Sequence, residues 1–150
     1  MNEIEISEVH FIDDSPDEHM LTRMMLRRSK LPIELSTHYD YGEFDAVRQA
    51  TPHKSWDNVL VVFDLNLTIS SGLDAIKALR SEIAYENVIA GICTGSEDPK
   101  DRKDALEAGA DFFVTKPLNA ATLEKICHSV PVLDMVTDDA SGKRLIRYRR

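Results

Sequence analysis

The 150-residue sequence is short of basic residues, of cysteine and of long apolar runs. Eighteen Lys and Arg face 26 Asp and Glu, a formal net charge of −8. That balance argues against non-specific nucleic-acid binding, and no direct DNA binding is expected. The few bases are also unevenly spread. The last eight residues, KRLIRYRR, hold five of them, so residues 1–142 carry 13 bases against 26 acids, or −13. No apolar run approaches the ~20 residues that span a bilayer. The opening MNEIEISEVHF has neither the basic nor the apolar stretch of a signal peptide, so no membrane insertion is expected. The two cysteines, Cys93 and Cys127, lie in apolar patterns without metal-ligand spacing, and the five histidines are scattered. Buried, reduced thiols, a cytoplasmic location and no zinc site are the expectation.

What remains is an ordinary globular balance, 43% hydrophobic and 29% charged, in a chain long enough for one domain with a real core. Five short apolar runs stand out: EVHFI (8–12), IELSTHY (33–39), NVLVVF (58–63), NVIAGIC (87–93) and DFFVT (111–115). The third and fourth are almost continuously apolar, as strands covered on both faces of a parallel sheet are. The second alternates more and is expected at an edge. Helical patterns separate them. SPDEHMLTRMMLRRSK has Ser15 as N-cap, Pro16 in the first helical position and Glu18 to complete a capping box, with Leu21, Met24 and Met25 as the core stripe. A short helix is expected around GEFDAVRQA. GLDAIKALRSEI places Leu73, Ile76, Leu79 and Ile83 on one face, and NAATLEKICHSV does so with Leu123, Ile126, Cys127 and Val130. DPKDRKDALEAG opens on Asp98 and Pro99 and closes on Gly109. Five such alternations predict an open α/β sandwich, with ligands bound beyond the carboxyl ends of the strands.

Those ends carry chemistry. The first strand runs into Asp13 and Asp14, the third into Asp64, the fourth into Thr94 and the fifth into Lys116. Singly, each has a plain structural explanation; an acidic pair before a helix simply suits its dipole. Jointly they place three carboxylates, a hydroxyl and an ammonium on one rim. Two carboxylates ~4 Å apart repel by roughly 4 kcal/mol at an effective dielectric of ~20, so three call for a cation. A hard divalent ion with oxygen ligands, Mg2+ or alternatively Mn2+, meets that need and neutralises an incoming phosphoryl group. Lys116 and Thr94 are placed to bind other phosphoryl oxygens, and Asp64, on the central strand, is the candidate nucleophile.

This order of acidic pair, central aspartate, Thr and Lys-Pro resembles the receiver domain of two-component response regulators, over about residues 6–130. DLNLTISSG, ending in Gly72, and EAGADFFVTKP resemble that family's stretches around the acceptor and around its Lys-Pro. The resemblance implies a doubly wound five-stranded parallel sheet, flavodoxin-like in its order 2-1-3-4-5, with helices on both faces. It implies that Asp64 takes a phosphoryl group from a phosphohistidine of a sensor histidine kinase or a histidine phosphotransfer protein. It also implies that Asp14, Asp64 and the backbone carbonyl of Asn66 ligate the metal, with Asp13 acting partly through water. Thr94 and Lys116 would then hold the acyl phosphate, Phe113 would be the switch aromatic, and the Lys116–Pro117 bond would be cis. Two positions depart from the pattern: Thr68 stands where the family often has proline, and Leu118 where it often has an aromatic residue.

A rival exists in another class. VVFDLNLT also resembles the DxDx(T/V) motif of haloacid-dehalogenase-type phosphatases, but the second aspartate, their general acid/base, is here Asn66, and an amide cannot transfer that proton. A degenerate, purely scaffolding receiver is disfavoured because all five groups are present. Residues 1–130 are expected to form the receiver and 131–150 an extension with a basic end, too short for an output domain. Signalling is then expected through protein contacts with a downstream target on the face made by the fourth helix, fifth strand and fifth helix. The tail from Ser141 onward is expected either to be mobile or to dock on an acidic face, and its removal to leave phosphorylation unchanged.

Overall fold

A computed structural model describes residues 2–140 and 142–149. Among them, eight strands and five helices run in the order β1 (Asn2–Glu5), β2 (Glu8–Ile12), α1 (Pro16–Ser29), β3 (Glu34–His38), α2 (Tyr41–Ala50), β4 (Val59–Phe63), α3 (Gly72–Ser81), β5 (Ile89–Thr94), α4 (Pro99–Ala108), β6 (Phe113–Thr115), α5 (Ala120–Ser129), β7 (Leu133–Asp138) and β8 (Gly142–Arg149). The five expected strands form one parallel sheet ordered β3-β2-β4-β5-β6. In the numbering of the five apolar runs this is the order 2-1-3-4-5, and the alternating second run lies at an edge.

Side-chain alternation divides this sheet between two cores. Val9 and Phe11 of β2, Leu60 and Val62 of β4, and Cys93 of β5 face one core with Leu26 of α1 and Leu123 and Ile126 of α5. Ile12, Val61, Phe63, Ala90 and Ile92 face the other, with Phe44 of α2, Ile76 and Leu79 of α3 and Ala105 of α4. Every residue of β4 and β5 is buried, which is why those runs show no period. At the centre of β5, a Cβ on Gly91 would lie 2.5 Å from the Phe112 carbonyl oxygen and 2.6 Å from its ring, so only glycine lets the 110–113 segment pack there.

The expected caps are present: Ser15 Oγ accepts from the Glu18 N–H, Asp98 caps α4, and Gly109 ends it with φ 112°. Two core assignments are corrected. On α1 the buried residues are His19, Thr22 and Leu26, whereas Met24 is 40% exposed; the helix turns a narrower stripe inward than its apolar content suggests. Ile83 is 88% exposed because α3 stops at Ser81 and a 3-10 turn over Ile83–Tyr85 buries Tyr85 in its place.

Three strands were not anticipated. β1, β8 and β7 form a separate antiparallel sheet in that order. Leu133, Leu145 and Ile6 join the α1/α5 core, and Ile6 N–H donates to Leu145 O at 2.7 Å. The described part of the basic tail is therefore structured and docks on its own domain, where Lys143 lies 3.6 Å from Glu124 and Arg149 meets Asp57, while Arg144 lies 3.8 Å from Asp138 within the β7–β8 pair. Ser141 and Arg150 lie outside the described residues. Deleting residues 141–150 would uncover core side chains, so that truncation disturbs the fold and no longer isolates the tail's role.

A pair of buried histidines adds a pH-sensitive element. His10 Nδ1 and His38 Nε2 are 2.9 Å apart, with the rings stacked beside Phe44, and His10 lies against Trp56. One ring donates and the other accepts, which needs a neutral ring on the accepting side. Burial, then the neighbouring His10 and His19, hold the His38 imidazole down at about 4; burial also lowers His10 against the pull of Glu8. Between about pH 4 and 6.5 the unfolded chain binds more protons than the folded one, so stability falls as pH drops through that window. Urea unfolding followed by the fluorescence of Trp56, the single tryptophan, is expected to show a loss on the order of 1–2 kcal/mol from pH 7 to pH 5. The loss should shrink in His38→Phe.

Candidate functional site

Parallel pairing sets the rim. Ile12 pairs with Phe63, so β2 and β4 end level, and the Asp64 N–H donates to Ile12 O at 2.8 Å. Asp13 and Asp14 follow β2, and Asp64 follows β4. Asp13 is 1% exposed. Its N–H donates to His38 O at 3.0 Å, its Oδ1 accepts from the Ser15 N–H at 2.9 Å, and its carbonyl oxygen is 2.6 Å from His19 Nε2. A carbonyl only accepts, so that His19 nitrogen carries the proton. Asp64 is 7% exposed. Gly72 makes room behind it, since a Cβ there would lie 2.3 Å from the Asp64 carbonyl oxygen.

On the other side, Thr94 ends β5 and is 1% exposed. Its carbonyl accepts from the Lys116 N–H at 2.9 Å, and its hydroxyl oxygen accepts from the Ser96 N–H at 3.3 Å. Lys116 follows β6, and its bond to Pro117 is cis as expected. The Lys116 ammonium lies 2.9 Å from Asp13, 3.3 Å from Asp64 and 3.8 Å from Glu18. Glu18 thus does not return to complete a capping box; Asp13 takes the Ser15 N–H, and Glu18 turns to Lys116. Burial raises the Asp64 carboxyl above its usual range; Lys116 pulls it back, and Asp13 pushes it up again. Burial works against the charged form of Lys116, but the hydrogen bond to Asp13 and the charges of Asp64, Asp13 and Glu18 leave it raised. Cys93, the nearby thiol in the sheet, is pushed up to about 12 by burial and is no nucleophile at neutral pH.

Asp13, Asp14 and Asp64 each offer an oxygen, and the three lie within 4.8 Å of one another. Octahedral ligands at ~2.1 Å sit roughly 3–4 Å apart, so a small contraction closes this set on a hard divalent ion. The donor chemistry fits: oxygen only, with more negative charge than one ammonium neutralises. Asn66 lies two residues beyond Asp64 on an exposed loop and bridges to Ser71. Phe113 is 7% exposed and packs inward with Ile92 and Ala105. Three residues at the rim were missed as participants. Glu18 and His19 sit on the first turn after the acidic pair, and that position was their only signal. Thr68, noted as a departure, donates its hydroxyl to Asp14 Oδ2.

Comparison with known proteins bears on the fold and the family. A family model described as the response regulator receiver domain matches residues 9–128. Among curated proteins, the chain is 30% identical over 111 residues to the phosphate regulon transcriptional regulatory protein PhoB of Klebsiella pneumoniae, covering 74% of this chain and 45% of that protein. It is 28% identical over 110 residues to the chemotaxis protein CheY of Halobacterium salinarum, covering 73% and 84%. The chain thus spans about half the length of PhoB, and 50% of the Arabidopsis thaliana two-component response regulator 24 lies in its match. Among solved structures, CheY4 of Vibrio cholerae superposes with TM-score 0.67 at 22% identity, over 83% of this chain and 99% of that one. The receiver domain of Saccharomyces cerevisiae Ssk1, solved with the histidine phosphotransfer protein Ypd1, gives 0.64 at 22%, over 85% and 91%. The Mn2+-bound response regulator Rcp1 gives 0.60 at 21%, over 80% and 88%.

Since the ionised Asp64 is disfavoured by burial and by Asp13, Asp64→Asn is expected to stabilise the metal-free protein. Lys116 keeps Asp13 and Glu18 as partners in that variant. A gain of about 1 kcal/mol corresponds to a rise of roughly 2–4 °C in Tm for a domain of this size, read by calorimetry with chelator present. A fall in Tm would mean that Lys116 more than offsets the cost of burying Asp64.

Proposed function

Because the chain belongs to the response regulator receiver family, whose members are phosphoacceptors in two-component signalling, we propose that Asp64 is its acceptor and the sole site of phosphorylation. The observation that carries this is the convergence of Lys116 with Asp13 and Asp64 at the rim, one residue past the end of β6. Asp64 Oδ attacks phosphorus in line as the P–N bond of a donor phosphohistidine breaks, and the imidazole leaves, taking up a proton. Asp13, Asp14, Asp64 and the Asn66 carbonyl would hold Mg2+, or alternatively Mn2+, the ion named in the Rcp1 structure. Bound there, the ion supplies charge neutralisation to the phosphoryl oxygens. Lys116 moves its ammonium from Asp64 to a phosphoryl oxygen without leaving Asp13. Thr94 turns its hydroxyl from the Ser96 N–H towards another, and Phe113 fills the space vacated, shifting an existing equilibrium.

Residues 1–130 act as the receiver in this account, and 131–150 as an extension packed against it. The donor is a sensor histidine kinase or a phosphotransfer protein, the latter class being the partner in the Ssk1 complex. The output surface is the α4–β6–α5 face, meeting a protein target. Among the described residues no helix is long and apolar enough to cross a membrane, and a cytoplasmic site of action fits this donor chemistry. The chemistry of the site is then confined to phosphoryl transfer onto Asp64 and hydrolysis of the acyl phosphate, in which water takes the phosphoryl group as inorganic phosphate and the Asp64 carboxylate is regenerated. The dehalogenase-type phosphatase is set aside, since the family match covers residues 9–128 and position 66 offers an amide.

Incubation with acetyl phosphate, followed by intact mass, tests this. Wild type with Mg2+ is expected to gain one phosphoryl group, lost on treatment with hydroxylamine. Asp64→Asn and chelated wild type should gain none. Label persisting in Asp64→Asn would defeat the assignment, and multiple turnover of a generic phosphate ester by wild type would revive the phosphatase.

A further inference from the structure

The acidic pair and the acceptor stand on two different loops, and a metal held by Asp14, Asp64 and Asn66 must draw those loops together. One contact already joins them. Thr68, at the crest of the β4–α3 loop, donates its hydroxyl to Asp14 Oδ2. Among the described residues it is the only hydrogen-bond or ion-pair partner of the Asp14 side chain, because Lys116 reaches Asp13, Asp64 and Glu18 instead. We propose that Thr68 is a positioning residue for the divalent cation, holding the Asp14 carboxylate in its ligating pose before the metal arrives. This rests on the metal-dependent phosphoacceptance proposed above.

The loop is built to aim that hydroxyl. Its base is closed by the Asn66–Ser71 bridge and by the Gly72 N–H donating to Leu65 O at 2.7 Å. Ser71 is in turn fixed as the N-cap of α3, accepting from the Asp74 N–H at 3.1 Å. Both ends of the crest are thus pinned, and only a short span of chain carries Thr68 between them, beside Ile69, which is 79% exposed. Asp14 itself is only half-buried. Without Thr68 its carboxylate would sample rotamers directed into water, and metal binding would have to restrict them. A carboxylate has about four lone-pair sites, so one donated hydrogen bond leaves oxygen capacity for the ion. Groups that orient a metal ligand in this way typically change affinity 10–100-fold when removed.

The test is Mn2+ binding, by calorimetry and by water-proton relaxation, for wild type, Thr68→Val and Thr68→Ser. Valine keeps the shape and removes the hydroxyl; serine keeps the hydroxyl. Thr68→Val is expected to raise the Mn2+ Kd about 10-fold, Thr68→Ser to stay near wild type, and the Mg2+ concentration for half-maximal acetyl phosphate labelling to move with the Kd. The metal-free Tm of all three should coincide, because a merely structural role would appear there. Unchanged or tighter Mn2+ binding by Thr68→Val would overturn the proposal, as would equal losses in Val and Ser. If wild type takes label and Thr68→Val binds normally, only the role of Thr68 fails. If wild type neither binds Mn2+ nor takes label, the phosphoacceptor function fails with it.

Discussion

One ammonium among carboxylates organises this molecule. Lys116 is held within 4 Å of Asp13, Asp64 and Glu18, and those acids are kept close although their charges repel. The backbone supplies the restraint. The pairing of Ile12 with Phe63 levels two of the strand ends, and the pairing of Thr94 with Thr115 brings Lys116 alongside. Asp13 and Asp64 follow strands whose registers cannot slip without turning a buried face outward, and Glu18 reaches in from the first turn of α1. The residual negative charge is therefore a stored demand for a cation, built from hydrogen-bonded scaffold.

The two cores explain how a change at that rim could be felt elsewhere. Ile12 and Phe63, immediately before Asp13 and Asp64, both face the α2–α3–α4 core, and Phe113 enters the same core from β6. The opposite core is closed by α1, α5 and the small sheet. A displacement of Phe113 would thus press first on the side that holds α3 and α4, since α1 and the extension pack on the other.

Much of this could be read from residue order, and what could not has physical causes. β4 was legible because burial on both faces leaves an unbroken apolar run, and Ser15, Asp98 and Gly109 mark helix ends through local chemistry alone. β8 was hidden because Lys143 and Arg149 are answered by acids distant in sequence, Glu124 and Asp57, while Leu145 and Ile146 are too short an apolar signal. Met24 and Ile83 misled because apolar spacing does not say how wide a helix face is buried or where the helix stops. At the site, the five principal groups were visible since each ends a strand. Glu18, His19 and Thr68 act across elements, and no local pattern marks such contacts.

The pairing of β1 with β8 has a consequence for the order of assembly. Glu5 is opposite Ile146 and Asn2 opposite Arg149, so these bonds join segments separated by nearly the whole chain. The parallel strands, by contrast, meet through crossovers of a few tens of residues. Loop-closure entropy grows with the logarithm of the span, each doubling adding about 0.6 kcal/mol. Among the described elements β8 is also the last to be synthesised. The strands that carry the rim can thus pair at a lower closure cost than β1 and β8, and the β1–β8 clasp is expected to form late among the described contacts.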